Sequence, residues 1–332
     1  MSDQTAEALS ELAVVRRSGM IESRHFGSIL AFDSDGAVVV ELGSPDAAIL
    51  PRSTVKPLQA MACLIAGAEL SGPELAIASG SHTGEDAHVA VVVGILQRAG
   101  LDEHALGCPV DRPEDEQTFE RMIREREGRS RLRMNCSGKH AAMLLACAAN
   151  GWSTDDYLDP SHPLQQQVQK TMADMTGVPV SHVAVDGCGA PLFGTTVRGV
   201  AAAFRSLVLM DADSAAGRVA TAMRENPFYV GGTGHANSEL MSNMPGALAK
   251  GGAEGVIGVA TSDGASVSMK IIDGSPRATT VLALAALEFL GYETSVAAEF
   301  AHVPVLGGGH PVGQIEVGAD LHRAMAIGGP RP

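Results

Sequence analysis

The chain has 332 residues, 45% of them apolar and only 4% aromatic, with a formal charge of −14. At roughly 150 residues per domain this gives one large domain or two, and the apolar content predicts a packed core rather than disorder. The charge excludes a general affinity for nucleic acid or an anionic membrane surface, because neither attracts a polyanion.

No apolar run is long enough to span a bilayer. The start, MSDQTAEALSELAVVRRSG, lacks the basic-then-apolar order of a signal peptide, so a cytosolic location is predicted. The cysteines are Cys63, Cys108, Cys136, Cys147 and Cys188. An odd number in a reducing compartment does not read as a disulfide framework. They are core residues, reactive thiols or metal ligands.

In chain order, residues 27–41 predict a β-hairpin turning at Asp33-Ser34-Asp35-Gly36. Residues 57–69 carry apolar positions at helical spacing. A small-residue turn, ASGSHTGE, then leads into a helix started near Thr83. Residues 111–133 are charge-dense and read as a solvated helix followed by a basic loop. Residues 136–150 predict a buried, alanine-rich helix, and 162–176 an amphipathic one. VSHVAVDGCGAPLFG reads as a short strand into a glycine loop, and 191–206 and 213–225 as helices. Residues 254–262 and 265–272 predict a hairpin turning at Asp263-Gly264, 277–290 a helix, and the tail loop. Strands near both ends and helices between them give an α+β chain rather than βαβ alternation.

Several stretches could carry chemistry. In PRSTVKP, Ser53 and Lys56 are three apart, and residues so spaced share a helix face. Pro57 suits only a first helical turn, so Ser53 falls at the helix entrance, where the dipole favours an alkoxide. A partly desolvated lysine amine can take the hydroxyl proton. By spacing alone, a capping serine with an exposed lysine is the favoured reading of the stretch.

ASGSHTGE brings Ser79, Ser81 and His82 between two apolar helices. MNCSGKHAAM sets Cys136 and Lys139 three apart at the mouth of another. VDGCGAP places Asp186 and Cys188 in a glycine loop. The cysteines form no CxxC pair, so a zinc finger fails on spacing. LAKGGAEG carries Lys250, with Lys270 on the later strand as its competitor. YVGGTGHAN lacks the GxGxxG order and leading strand of a dinucleotide loop.

Taken in order, RSTVKPLQA, SHTGE, NCSGKH, DGCGAP, VGGTG and KGGAEG resemble the asparaginase II family of the Rhizobium etli type, over roughly residues 12–328 as a single catalytic domain. The resemblance implies a fold similar to serine β-lactamases and glutaminases, with an antiparallel sheet flanked by helices and a helical subdomain from the middle of the chain. It implies an L-asparaginase acting through two Ser–Lys pairs: Ser53 with Lys56, and Ser81 with Lys250 or Lys270. It implies Zn2+ held by Cys136, Lys139 and Cys188, substrate contacts from Arg52, Asp186 and His82, and a homodimer. A lysine binds metal only as the neutral amine, so Lys139 would need a depressed pKa.

Left open are which serine attacks, whether Ser79 replaces Ser81, and asparagine against glutamine. The rivals are a glutaminase, a penicillin-recognising acyl transferase or a non-catalytic zinc- or small-molecule-binding relative.

Overall fold

The computed structural model describes residues 9–327. The first eight residues and position 328, the expected domain end, lie outside them. The chain divides into two compact units. One comprises 1–54, 195–208 and 243–332, the other 55–194 and 209–242.

The first unit is built on an antiparallel sheet. Its strands run in the order Pro304–Gly307, His310–Val317, Ser10–Arg17, Met20–Phe32, Ser266–Ile271, Val256–Ala260 and Leu248–Gly252, with Val38–Leu42 also paired to Met20–Phe32. Both ends of the chain therefore supply strands. Along Ser266–Ile271, Val267 and Met269 alternate with Ser266 and Ser268, and all four are fully buried. Side chains of a strand alternate between faces, so both faces of the central sheet are covered.

The helix Val197–Leu209 covers one face. Its Val197 and Ala201 pack on Leu30, and the Ala201 carbonyl accepts the Ser266 hydroxyl at 3.0 Å. The helix Thr279–Phe289 also packs on the sheet, and Ala319–Ile327 packs on Ser10–Arg17.

The second unit is helical. Its centre is Ser137–Asn150, whose first eleven residues are all buried. Lys56–Ile65, Gly72–Ala78 and Asp86–Arg98 surround it. Alanine and glycine let the backbones approach: a Cβ on Gly138 would lie 2.6 Å from the Ile77 carbonyl oxygen. Pro163–Thr176 and Ala215–Glu225 pack against Lys56–Ile65. Val183–Val185 and Pro191–Phe193 form a small hairpin.

The two predicted hairpins are present, as Met20–Phe32 with Val38–Leu42 and as Val256–Ala260 with Ser266–Ile271. Three expectations are corrected. The helix expected from Thr83 starts at Asp86, because Glu85 caps it: its side chain takes the backbone of the third residue while His88 takes the Glu85 N–H. The helix expected over 191–206 starts at Val197, because Pro191–Phe193 and Thr195–Thr196 pair as strands with Val183–Val185 and Ala48–Ile49. The tail expected to be loop-rich carries two strands and a helix among its described residues, because His310–Val317 pairs with Ser10–Arg17 on one side and Pro304–Gly307 on the other.

Candidate functional site

Lys56 is the first residue of its helix and is 0% exposed. Arg52–Val55, a 3-10 turn holding Ser53, leads directly into it. A buried ammonium is costly unless its donors are satisfied. Lys56 Nζ donates to the Gly80 carbonyl at 2.6 Å, to Ser81 Oγ at 2.9 Å and to the Asn135 carbonyl at 3.2 Å. The hydrogen bond seen from Lys56 to a serine therefore goes to Ser81, twenty-five residues along the chain. When Nζ is neutral the same contact can run the other way, with Ser81 O–H donating.

Ser79 and Ser81 have different surroundings. Ser79 is fully buried and its hydroxyl donates to the Leu75 carbonyl of its own helix at 2.9 Å. Ser81 is half-buried, on the loop between Gly72–Ala78 and Asp86–Arg98.

That loop is held by a second one, the VGGTG stretch. Ser81 N–H donates to the Val230 carbonyl at 2.8 Å and Thr83 N–H to the Gly231 carbonyl at 2.6 Å. The Glu85 carboxylate clamps the two: Oε1 accepts the Thr83 hydroxyl at 2.9 Å and the Thr233 N–H at 2.9 Å, and Oε2 accepts the Thr233 hydroxyl at 3.0 Å. Sequence reasoning missed this role of Glu85, Thr83 and Thr233. The only signal was the adjacent glycines Gly231 and Gly232, which admit a close backbone approach.

His82 is fully buried. Its Nδ1 accepts Gly84 N–H at 3.1 Å, which leaves Nε2 to donate to Ser137 Oγ at 2.9 Å. Burial, then the nearby His88, Lys56 and Arg133, hold its pKa well below the ordinary histidine value. His82 is thus a neutral ring between the serine loop and the NCSGKH segment, and its backbone N–H shares the Asn135 carbonyl with Lys56.

Cys136, Lys139 and Cys188 come together and are nearly inaccessible, at 3%, 2% and 1% exposed. Lys139 Nζ donates to Cys188 Sγ at 3.0 Å. A hydrogen bond from the Cys136 thiol, with the Lys139 charge, lowers Cys188 to about 5, while Cys136 is raised to about 12. Burial works against the Lys139 ammonium, but the Cys188 and Cys136 sulfurs outweigh it and hold its pKa above lysine's ordinary value. Holding a metal would require the opposite direction, a neutral Lys139 amine.

Two sulfurs and an amine are a donor set that fits a borderline-soft cation such as zinc. Among the described residues no group of three or more His, Cys, Asp or Glu side chains could hold a metal, so such a site depends on Lys139 as a donor. Asp186 lies on the same loop as Cys188, half-buried, its Oδ2 3.8 Å from Cys188 Sγ and its Oδ1 accepting Gly187 N–H at 2.9 Å.

The first unit carries the remaining candidates. Lys250 lies fully buried on Leu248–Gly252 and donates to the Gly251 carbonyl at 2.5 Å. Lys270 is half-buried on Ser266–Ile271 and donates to the Glu254 carbonyl. Arg52 Nη1 is 3.7 Å from Glu254 Oε1. Ser53 is half-buried.

A buried lysine seated on a loop serine, in an α+β chain whose sheet is drawn from both termini, calls for comparison with serine-dependent hydrolases. The chain belongs to the L-asparaginase II family, whose model matches residues 13–317. Among curated proteins none matches the chain.

Three solved structures illustrate its likeness in fold. Mglu in its native form has 14% identity and a TM-score of 0.43, covering 79% of this chain and 64% of its own. The chain thus spans less than two thirds of Mglu. A Bacillus glutaminase in 4.3 M NaCl has 13% identity and a TM-score of 0.41, with coverages of 74% and 83%. A mutant of the Streptomyces K15 DD-transpeptidase has 14% identity and a TM-score of 0.41, with coverages of 80% and 96%. At these TM-scores the likenesses carry no argument about activity. No helix among the described residues is long and apolar enough to cross a membrane.

Proposed function

We propose that the chain hydrolyses the side-chain amide of L-asparagine to L-aspartate and ammonia, with Ser81 as nucleophile and Lys56 as its base. One observation carries this reading: a fully buried lysine amine 2.9 Å from the hydroxyl of a half-buried loop serine. Ser81 Oγ attacks the amide carbon as its proton passes to neutral Lys56 Nζ. The tetrahedral intermediate collapses, Lys56 returns the proton to the leaving nitrogen, and ammonia departs. Water then attacks the Ser81 ester, Lys56 takes its proton, and Ser81 leaves as the alcohol while aspartate is released. The Gly80 and Asn135 carbonyls orient Nζ and stabilise the transient ammonium.

His82 is a positioning residue in this scheme, since both its ring nitrogens are engaged. Asp186 complements the α-ammonium of the substrate. Cys136, Lys139 and Cys188 would hold a zinc ion, which would supply a fixed positive charge to the pocket when bound. Arg52, Ser53 and Lys250 retain the parts that the family resemblance gives them: Arg52 for the α-carboxylate, Ser53 as the partner of Lys56 in the first Ser–Lys pair, and Lys250, or Lys270 in its place, as the partner of Ser81 in the second. A homodimer belongs to the same proposal and is tested by light scattering.

The test is ammonia release from L-asparagine and L-glutamine side by side, with and without chelator. Faster release from asparagine supports the reading. One methylene of length is worth only ~1–3 kcal/mol of discrimination, so a preference for glutamine would turn it into a glutaminase on the same residues. No release from either amide would overturn it.

A further inference from the structure

The first unit contains a cavity of about 330 Å³ that none of the steps above uses. This lies within the range of small-molecule sites. Its floor is Gly27-Ser28, where Met20–Phe32 pairs with Lys270 and Ile271 of Ser266–Ile271. Ser28 is buried and its Oγ accepts Ser44 N–H at 2.9 Å, so the wall carried by the segment after Ser44 is fixed to that floor.

Two properties distinguish it. First, its charge is opposite to that of the chain. Among its lining residues Arg52 and Lys270 stand beside one carboxylate, Glu254, in a protein of net charge −14, and Asp273 acts on Lys270 from outside the lining. The Lys270 stem is half-buried, which lowers its pKa, while Glu254 and Asp273 pull the other way. Second, its wall is strained where the charges sit. Among the described residues only four non-glycine residues have left-handed backbone, and two of them are Arg52 (φ +52°) and Glu254 (φ +61°). Such conformations persist where the surroundings enforce them, and they cluster at ligand clamps.

The rest of the lining is aliphatic. Leu9, Leu50 and Ile272 are 43%, 37% and 51% exposed, so an apolar ligand chain would cover surface that water now meets.

We propose that this cavity binds a short aliphatic carboxylate, its carboxylate held between Arg52 and Lys270 and its chain laid on Leu50 and Ile272. The guanidinium fork matches a carboxylate, and Lys270 adds a second charge-assisted hydrogen bond. Glu254 excludes a second negative charge, which favours monocarboxylates. The site shares Arg52 with the amidohydrolase reading, and Lys270 with the alternative left open for its second Ser–Lys pair; the rest of its lining takes no part in that reading.

The experiment is calorimetric titration of the full-length protein with butyrate, and with n-butylammonium as the same chain of opposite charge. Saturable binding of butyrate alone is expected. Lys270→Met keeps the aliphatic stem and should weaken binding roughly 10-fold or more, the loss of one charge-assisted hydrogen bond. Ile272→Asp, at an exposed position, should abolish it. Butyrate that binds with affinity unmoved by either substitution, equal binding of the ammonium, or no saturable binding would overturn the proposal. Butyrate binding by a protein that releases no ammonia from either amide would sink the amidohydrolase reading and leave this site standing.

Discussion

Lys56 Nζ lies 2.9 Å from Ser81 Oγ, and the same amine is held by the Gly80 and Asn135 carbonyls at 2.6 and 3.2 Å. Three segments distant in sequence thus meet at one nitrogen. Lys56→Met keeps the buried volume but removes the proton acceptor. It should lower kcat by about 10²–10⁴, the usual worth of general acid–base assistance. It should cost about 1–3 kcal/mol in stability, because buried carbonyls lose their donor. Steady-state ammonia release and urea unfolding read the two effects separately. Unchanged kcat with lowered stability would make Lys56 purely structural.

Glu85 governs the loop that carries Ser81. Its carboxylate accepts from Thr83 Oγ and from both the N–H and hydroxyl of Thr233. Glu85→Ala should cost about 1.5–3 kcal/mol, as for hydrogen bonds to a charged group, and lower kcat more than it raises KM. Glu85→Gln retains one accepting oxygen and should recover part of both.

Gly232 and Gly234 offer a paired control. Gly232 has φ +131°, and a Cβ there would lie 1.9 Å from Thr83 Oγ1. Gly234 has φ +66° and nothing within 4 Å. Gly232→Ala should force the two loops apart and cost about 3 kcal/mol or more, with loss of activity. Gly234→Ala should cost only about 1–2 kcal/mol of backbone strain. Thermal unfolding of the two variants distinguishes them.

His82 sets an acid limit on stability. Burial, followed by the charges of His88, Lys56 and Arg133, depresses its folded pKa. The unfolded chain takes up a proton near the ordinary value of about 6.5, while the folded chain does not. The contribution is therefore complete above that pH and is lost as pH falls toward the folded pKa. Its slope reaches at most about 1.4 kcal/mol per pH unit. His82→Gln should flatten the curve of unfolding free energy against pH below about 6.5. An unaltered slope would mean that His82 does not titrate on unfolding.

Zinc analysis tests the sulfur–amine cluster. The purified protein should carry stoichiometric zinc by plasma mass spectrometry, and Cys188→Ala and Lys139→Met should lose it. Stoichiometric zinc in Lys139→Met would remove the amine from the donor set.

Much of the candidate site was visible as residue types, and little of it as pairings. RSTVKP, SHTGE, NCSGKH and DGCGAP stand out as polar islands beside apolar helices. Yet Lys56 sits three residues from Ser53 and its visible hydrogen bond goes to Ser81, because tertiary packing of two helices decides it. YVGGTGHAN reads as a poor dinucleotide loop. The need for glycine at 232 is apparent only beside Thr83.

The fold shows the same limit. Long periodic segments such as Pro163–Thr176 are legible from spacing. Pro191–Phe193 is too short for periodicity to separate strand from helix, and Val183–Val185 settles it by pairing. His310–Val317 carries no strong alternation and is a strand because Ser10–Arg17, some three hundred residues away, offers it an edge.

The central claim is that Ser81 attacks the amide with Lys56 as its base. The direct measurement is kcat for ammonia release from L-asparagine by wild-type and Ser81→Ala protein at matched zinc content. The account predicts a loss of about 10³-fold or more in Ser81→Ala with folding intact. Full activity in Ser81→Ala would contradict it.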